Sequence, residues 1–167
     1  MHPSTLFLDP TILMFGKLAL AMLLGGVIGT ERAVLAKQAA GTRTFGLVSL
    51  GACLFIVISN AVHAAYLGLV NFEPLQAMSA IITGIGFIGG GLIIFRGHSL
   101  HGITTAAGLW IAAGVGIAVG FGLYMIAVFS TLLALIMFTG MWWLENRFKH
   151  WFEAEQADQP PATGPGI

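Results

Sequence analysis

The chain has 167 residues, 57% hydrophobic and only 8% charged, with a formal net charge of zero. Soluble domains carry about 25% charged residues, so this composition excludes an ordinary water-facing surface and points to lipid as the solvent. No nucleic-acid partner is expected, and a single cysteine, Cys53, excludes an intramolecular disulfide framework.

A membrane-crossing helix needs about 20 predominantly apolar residues. Five such stretches are predicted, at 11–30, 44–62, 76–95, 103–120 and 122–144. They define an all-α polytopic bundle. Residues 1–150 form one membrane domain, and the polar, proline-containing segment 151–167 forms a disordered tail. The N-terminus has no basic stretch before its apolar run, so it does not read as a removable signal peptide. Arg32, Lys37 and Arg43 in the first loop, Arg96 in the third, and Arg147 and Lys149 near the C-terminus fall on one side if there are five spans. The excess of Lys and Arg on cytoplasmic loops then predicts an outside N-terminus and a cytoplasmic C-terminus.

Span one carries Gly25 and Gly29 four residues apart, a spacing that lets another helix approach closely. Lys17 lies about a turn inside its outer end. It either snorkels outward along its own stem or pairs with Asp9 or Glu73. Span two is plain apart from Ser49, Ser59 and Asn60, and Cys53 reads there as a small apolar residue. Pro74 suits the first turn of the third helix, where a missing N–H costs nothing.

Span three contains "GIGFIGGG", Gly84 to Gly91, which matches the dinucleotide-binding spacing of glycines. That fingerprint requires a preceding strand and an acidic residue about 20 positions on. Here the preceding "LQAMSAIIT" is helical in character and no Asp or Glu occurs between Glu73 and Glu145. Nucleotide binding is therefore rejected. Gly84, Gly86, Gly89, Gly90 and Gly91 instead strip side chains from more than one face of the helix. Either another backbone packs there, or the helix breaks and lines a site with bare carbonyls.

Span four repeats the device with Gly108, Ala112, Gly116 and Gly120, a smooth ridge expected to meet the glycines of span three. Thr104 and Thr105 stand at its start as candidate caps. The short "VGFGLY" makes spans four and five a close hairpin. Trp142 and Trp143 anchor the end of span five at the interface, and "ENRFKHWF" continues as an amphipathic segment along the lipid surface.

Enzyme constellations are scarce. His98 and His101 have no evident third ligand and read as solvated loop residues. No cofactor is implied, and no ionised residue lies near mid-membrane of the kind coupled transporters use. The remaining polar groups gather at one face: Glu31, Arg32, Arg43, Thr44, Arg96, Thr104 and Thr105 come from four helix ends. Glu31 is expected to pair with Arg43 or Arg96, as a structural clasp or as part of a ligand site.

"LAMLLGGVIGTER", "AGTRTFGLVSLGACLF", "ITGIGFIGGGLI" and "GITTAAGLWIAAGVGIAVGFGLY" resemble, in order and spacing, the MgtC/SapB family over about residues 13–126. The resemblance implies a multi-pass bacterial inner-membrane protein tied to growth in low magnesium and survival inside host cells, and the lack of catalytic groups makes a non-enzymatic role the expectation. The glycine ridges lead to an expected partner within the bilayer, a second copy or another membrane protein, and the resemblance adds that some members act on the F-type ATP synthase. The family positions fall on Gly29, Glu31, Arg32, Gly41, Arg43 and Thr44, then on Gly84, Gly86, Phe87, Gly89 and Gly91, and finally on Gly102, Thr104, Thr105, Ala106, Ala107 and Trp110. Many members add a C-terminal regulatory domain, and this sequence is expected to be a short form without it. Gly90, Gln76, Ala80 and His101 depart from the usual family residues. A small transporter or channel remains the second expectation.

Overall fold

The computed structural model describes residues 10–34, 40–66, 74–96 and 99–157. They form five helices: α1 (Pro10–Val34), α2 (Thr42–Ala65), α3 (Pro74–Leu92), α4 (Ile103–Gly120) and α5 (Tyr124–Ala157). Each contains a segment long and apolar enough to cross a membrane, as the hydropathy pattern predicts. Two boundaries differ. The third helix stops at Leu92, and Ile94–Arg96 (β1) pairs antiparallel with Ser99–His101 (β2), joining Ile94 to His101 and Phe95 to Leu100. The β-branched and aromatic run before Arg96 favours this extended form once the helix has ended. The last helix runs on to Ala157, into the segment expected to be disordered; residues 158–167 lie outside the described part.

The core is built on α1, α2 and α4. α4 is the central rod: eleven of its residues are buried, including every position from Val115 to Gly120. The charge-free, nearly all-round apolar sequence of α4 suits this place, since a helix buried on all sides has no polar stripe to display. Phe45, Cys53 and Ile56 of α2 and Ile28 of α1 are completely enclosed against it.

Glycines set the spacing of these helices. An added Cβ at Gly25 would lie 2.5 Å from the Ser49 Cβ and 2.7 Å from the Phe45 carbonyl oxygen. One at Gly29 would lie 2.7 Å from the Gly41 carbonyl oxygen. Span one therefore meets span two backbone to backbone, as its four-residue glycine spacing predicts. The ridge of α4 is also used, but against a different neighbour. Gly116 faces the Ser49 carbonyl, Gly120 faces Ile56, and Gly108 lies under the rings of Phe45 and Phe138. The glycine run of span three is the partner its spacing suggests; α2 and α5 are the partners observed. The reason is steric: α2 offers Ser49 and Cys53 at the crossing, small enough to let its backbone reach α4.

The turn between α4 and α5 satisfies its own backbone. Gly122 has φ +80°, its N–H reaches the Val119 carbonyl at 2.9 Å, and the Leu123 N–H reaches Ala118 at 2.8 Å. These are the paired bonds of a glycine-terminated helix. The Phe121 N–H takes the Ile117 carbonyl at 3.1 Å. The Gly120 carbonyl is taken by the Lys17 ammonium at 3.0 Å. Lys17 thus does more than snorkel: it crosses to α4 and places a positive charge at the helix's negative end. Its other expected partners, Asp9 and Glu73, lie outside the described residues.

Candidate functional site

The polar residues near the ends of α1 and α2 and the start of α4 separate into two groups. The first is internal. α1 remains helical through Glu31 and Arg32 and carries both side chains into the bundle, where they are 8% and 6% exposed. The Arg32 guanidinium lies 4.7 Å above the Phe138 ring of α5, a cation–π contact. Its Nη2 donates to the Thr105 hydroxyl of α4 at 3.4 Å. One arginine therefore ties three helices together. The Arg32 Nε and the Glu31 Oε2 are buried without a hydrogen-bond partner.

The second group faces outward. Arg43 and Thr104 are exposed and Thr44 is half-buried. Among the described residues no ion pair joins Glu31 to Arg43, and the other expected partner, the Arg96 side chain, lies outside the described residues. Arg43 sits one residue into α2 from Thr42 and lines a groove with Gly26, Thr30, Thr42 and Leu47. All of His98 likewise lies outside the described residues. His101 is exposed, and no metal-holding group of three or more His, Cys, Asp or Glu side chains occurs among the described residues. Neither threonine occupies the N-cap position of α4. The N-cap position belongs to Gly102, at φ +92°, with no side-chain cap bond. Thr105 is instead turned inward to Arg32. A contact that sequence reasoning missed joins the Thr30 and Thr42 hydroxyls at 3.0 Å across the α1–α2 crossing; two threonines at facing helix ends were its only signal.

The glycine run of α3 lies apart from both groups. α3 is unbroken from Pro74 to Leu92, so it presents no interrupted-helix site. Gly89 alone of the run is buried, with its added Cβ 3.6 Å from Ala106 of α4. Gly84, Gly86, Gly90 and Gly91 have nothing within 4 Å of an added Cβ, and Phe87 between them is 86% exposed. Ser79 and Thr83 are exposed on the side of Gly86 and Gly90, where the Thr83 hydroxyl donates to the Ser79 carbonyl at 2.9 Å, whereas Gly84 borders the α2 side. An apolar groove of about 440 Å³, lined by Phe55, Ser59, Ala80, Gly84 and Ile88, separates α3 from α2.

Five apolar helices, three of them locked by backbone contact and one bordered by an open glycine face, define a polytopic helical membrane protein. The chain belongs to the MgtC family, whose sequence model matches residues 18–147. It is 36% identical over 123 residues to an Escherichia coli K12 protein named "Putative magnesium transporter YhiD", covering 72% of this chain and 57% of that one. It is 40% identical over 118 residues to "Protein MgtC" of Brucella abortus, covering 71% and 47%. An uncharacterized protein of Haemophilus influenzae is 35% identical over 137 residues, covering 80% and 57%. The chain thus spans about half the length of the curated relatives it matches. No solved structure matches it.

Proposed function

We propose that this chain is a non-enzymatic regulator or accessory factor of magnesium and stress homeostasis in the bacterial inner membrane, acting by helix packing with a membrane partner. Family membership and the magnesium-related name of a relative support the physiological setting. The open glycines of α3, above all Gly86 and Gly90 on its exposed side, carry the mechanism. Within the chain, glycines that meet a neighbour hold helices backbone to backbone, as Gly25 and Gly116 do. Gly84, Gly86, Gly90 and Gly91 have the same character without such a neighbour. Between helices in lipid, association rests on close van der Waals packing and interhelical hydrogen bonds, and small residues with nearby hydroxyls supply both. The partner is a second copy or another membrane complex, with the F-type ATP synthase suggested by the family resemblance. The basic ends of the helices face the cytoplasm in this reading.

Gly86→Leu tests it. The substitution fills open space, so the chain should fold, while cross-linking in native membranes should lose its partner band and growth in low magnesium should fail. Unchanged cross-linking and unchanged growth would remove the proposal. The alternative, a small transporter or channel with the glycine run lining its path, is favoured by the name of the Escherichia coli relative; it predicts solute flux in proteoliposomes that Glu31→Gln changes.

A further inference from the structure

Glu31 and Arg32 raise a question that helix packing does not answer. Both are more than nine-tenths buried, yet the Oε2 of one and the Nε of the other have no hydrogen-bond partner. Buried charged groups are normally paired, and an unpaired atom on one calls for an explanation such as a bound water or ion. We propose that this end of the bundle binds a protonated oxyanion, hydrogen phosphate or a phosphate monoester, between Arg32 and the first turn of α4, with Glu31 accepting the ligand's own proton in a hydrogen bond. The proposal is independent of the glycine-face reading.

Three features point to that chemistry. Arg32 Nε and Nη2 form one edge of the guanidinium, which matches two oxygens of an oxyanion in a bidentate pair. Nη2 makes only a long contact, 3.4 Å, to the Thr105 hydroxyl, and Nε makes none. That contact places the guanidinium beside Thr105 in the first turn of α4, an 18-residue helix. A helix start carries partial positive charge and attracts anions. Glu31 then selects among them. An ionised carboxylate only accepts hydrogen bonds. It repels sulfate, which carries no proton near neutral pH, but accepts from the hydroxyl of hydrogen phosphate. Entry requires movement, because both unpaired atoms are closed to solvent. Phe138, half-buried and stacked on the guanidinium at 4.7 Å, is the cover.

The test uses the full chain in lipid nanodiscs, with equilibrium binding of radiolabelled inorganic phosphate and sulfate at matched ionic strength. One hydrogen bond to a charged group corresponds to about a tenfold or greater preference, so phosphate should bind at least about tenfold tighter than sulfate. Glu31→Gln, whose amide can donate, should bring the two anions within about twofold of each other. Arg32→Lys, which keeps the charge but loses the paired edge, should weaken both, and Phe138→Ala should speed phosphate entry. Nanodiscs doped with phosphatidic acid distinguish the source: protection by this lipid without binding of free phosphate assigns the oxyanion to a headgroup. Equal binding of phosphate and sulfate, or no response to phosphate, sulfate or phosphatidic acid, would overturn the proposal. If Arg32→Lys does not fold, an unchanged phosphate-to-sulfate ratio in Glu31→Gln overturns it alone.

Discussion

Gly116→Ala is the smallest change that should loosen the core. The added methyl would overlap the Ser49 carbonyl oxygen and lie 2.9 Å from the Ser49 carbonyl carbon. Ordinary contact begins at 3.4 Å. The difference, 3.4 − 2.9, means α4 must shift by at least 0.5 Å from α2. Ser49 cannot yield instead, because its own Cβ lies against Gly25 of α1. The shift would open gaps along Ala112, Ala113 and Gly120, all buried on α4. Overpacking of this kind costs about 1–3 kcal/mol, and the wider spacing also weakens dispersion attraction along the whole helix. For a chain of this size that corresponds to a fall of about 2–12 °C in unfolding midpoint. Cys53, the sole cysteine and completely buried, supplies the assay: its thiol reacts with a fluorogenic maleimide only when the bundle opens. A midpoint for Gly116→Ala equal to that of the parent chain would refute the backbone contact between α2 and α4. Gly86→Ala, where the methyl meets nothing within 4 Å, serves as the control and should leave the midpoint unchanged.

Lys17→Met should lower the same midpoint by an amount corresponding to about 1–3 kcal/mol, because the Gly120 carbonyl loses its bond in a part-buried site; Lys17→Arg should recover part of it, and an unchanged midpoint in Lys17→Met would show the bond to be dispensable. Gly102→Ala should cost at least about 1 kcal/mol, since φ +92° disfavours a side chain and the methyl would strike the Leu92 carbonyl; a neutral result in the thiol assay would refute that geometry. Reporter fusions after residues 69 and 167 should report opposite compartments, because residue 69 falls between the second and third of five candidate spans and residue 167 follows the fifth. Fusions reporting the same compartment would contradict five crossings.

How much was legible depended on whether a residue acts along its own helix or across to another. Hydropathy fixes which segments leave water, and the five helices followed from it. Glycine spacing marked Gly25, Gly29, Gly116 and Gly120 as points of close approach, because the four-residue period is a property of one helix alone. It could not say which helix approaches. Both α3 and α4 carry small residues at that period, yet α4 spends its ridge on α2 and α5 while most of the α3 run stays open. The polar end was misjudged for the same reason. Glu31, Arg43, Thr104 and Thr105 were close in the expected plane of the membrane, but rotation about each helix axis decides which turn inward. Arg32 and Thr105 do; Arg43 and Thr104 do not. Lys17 is the clearest case. Its sequence neighbourhood suggests only a stem reaching for water, whereas its observed role is set by a carbonyl 103 positions away. That carbonyl needs a donor because the Schellman turn at Gly122 satisfies the neighbouring carbonyls at 118 and 119 and leaves Gly120 over. A lysine near the end of a membrane helix therefore calls for a count of orphan carbonyls on the helices beside it before lipid phosphate is assumed to be its partner.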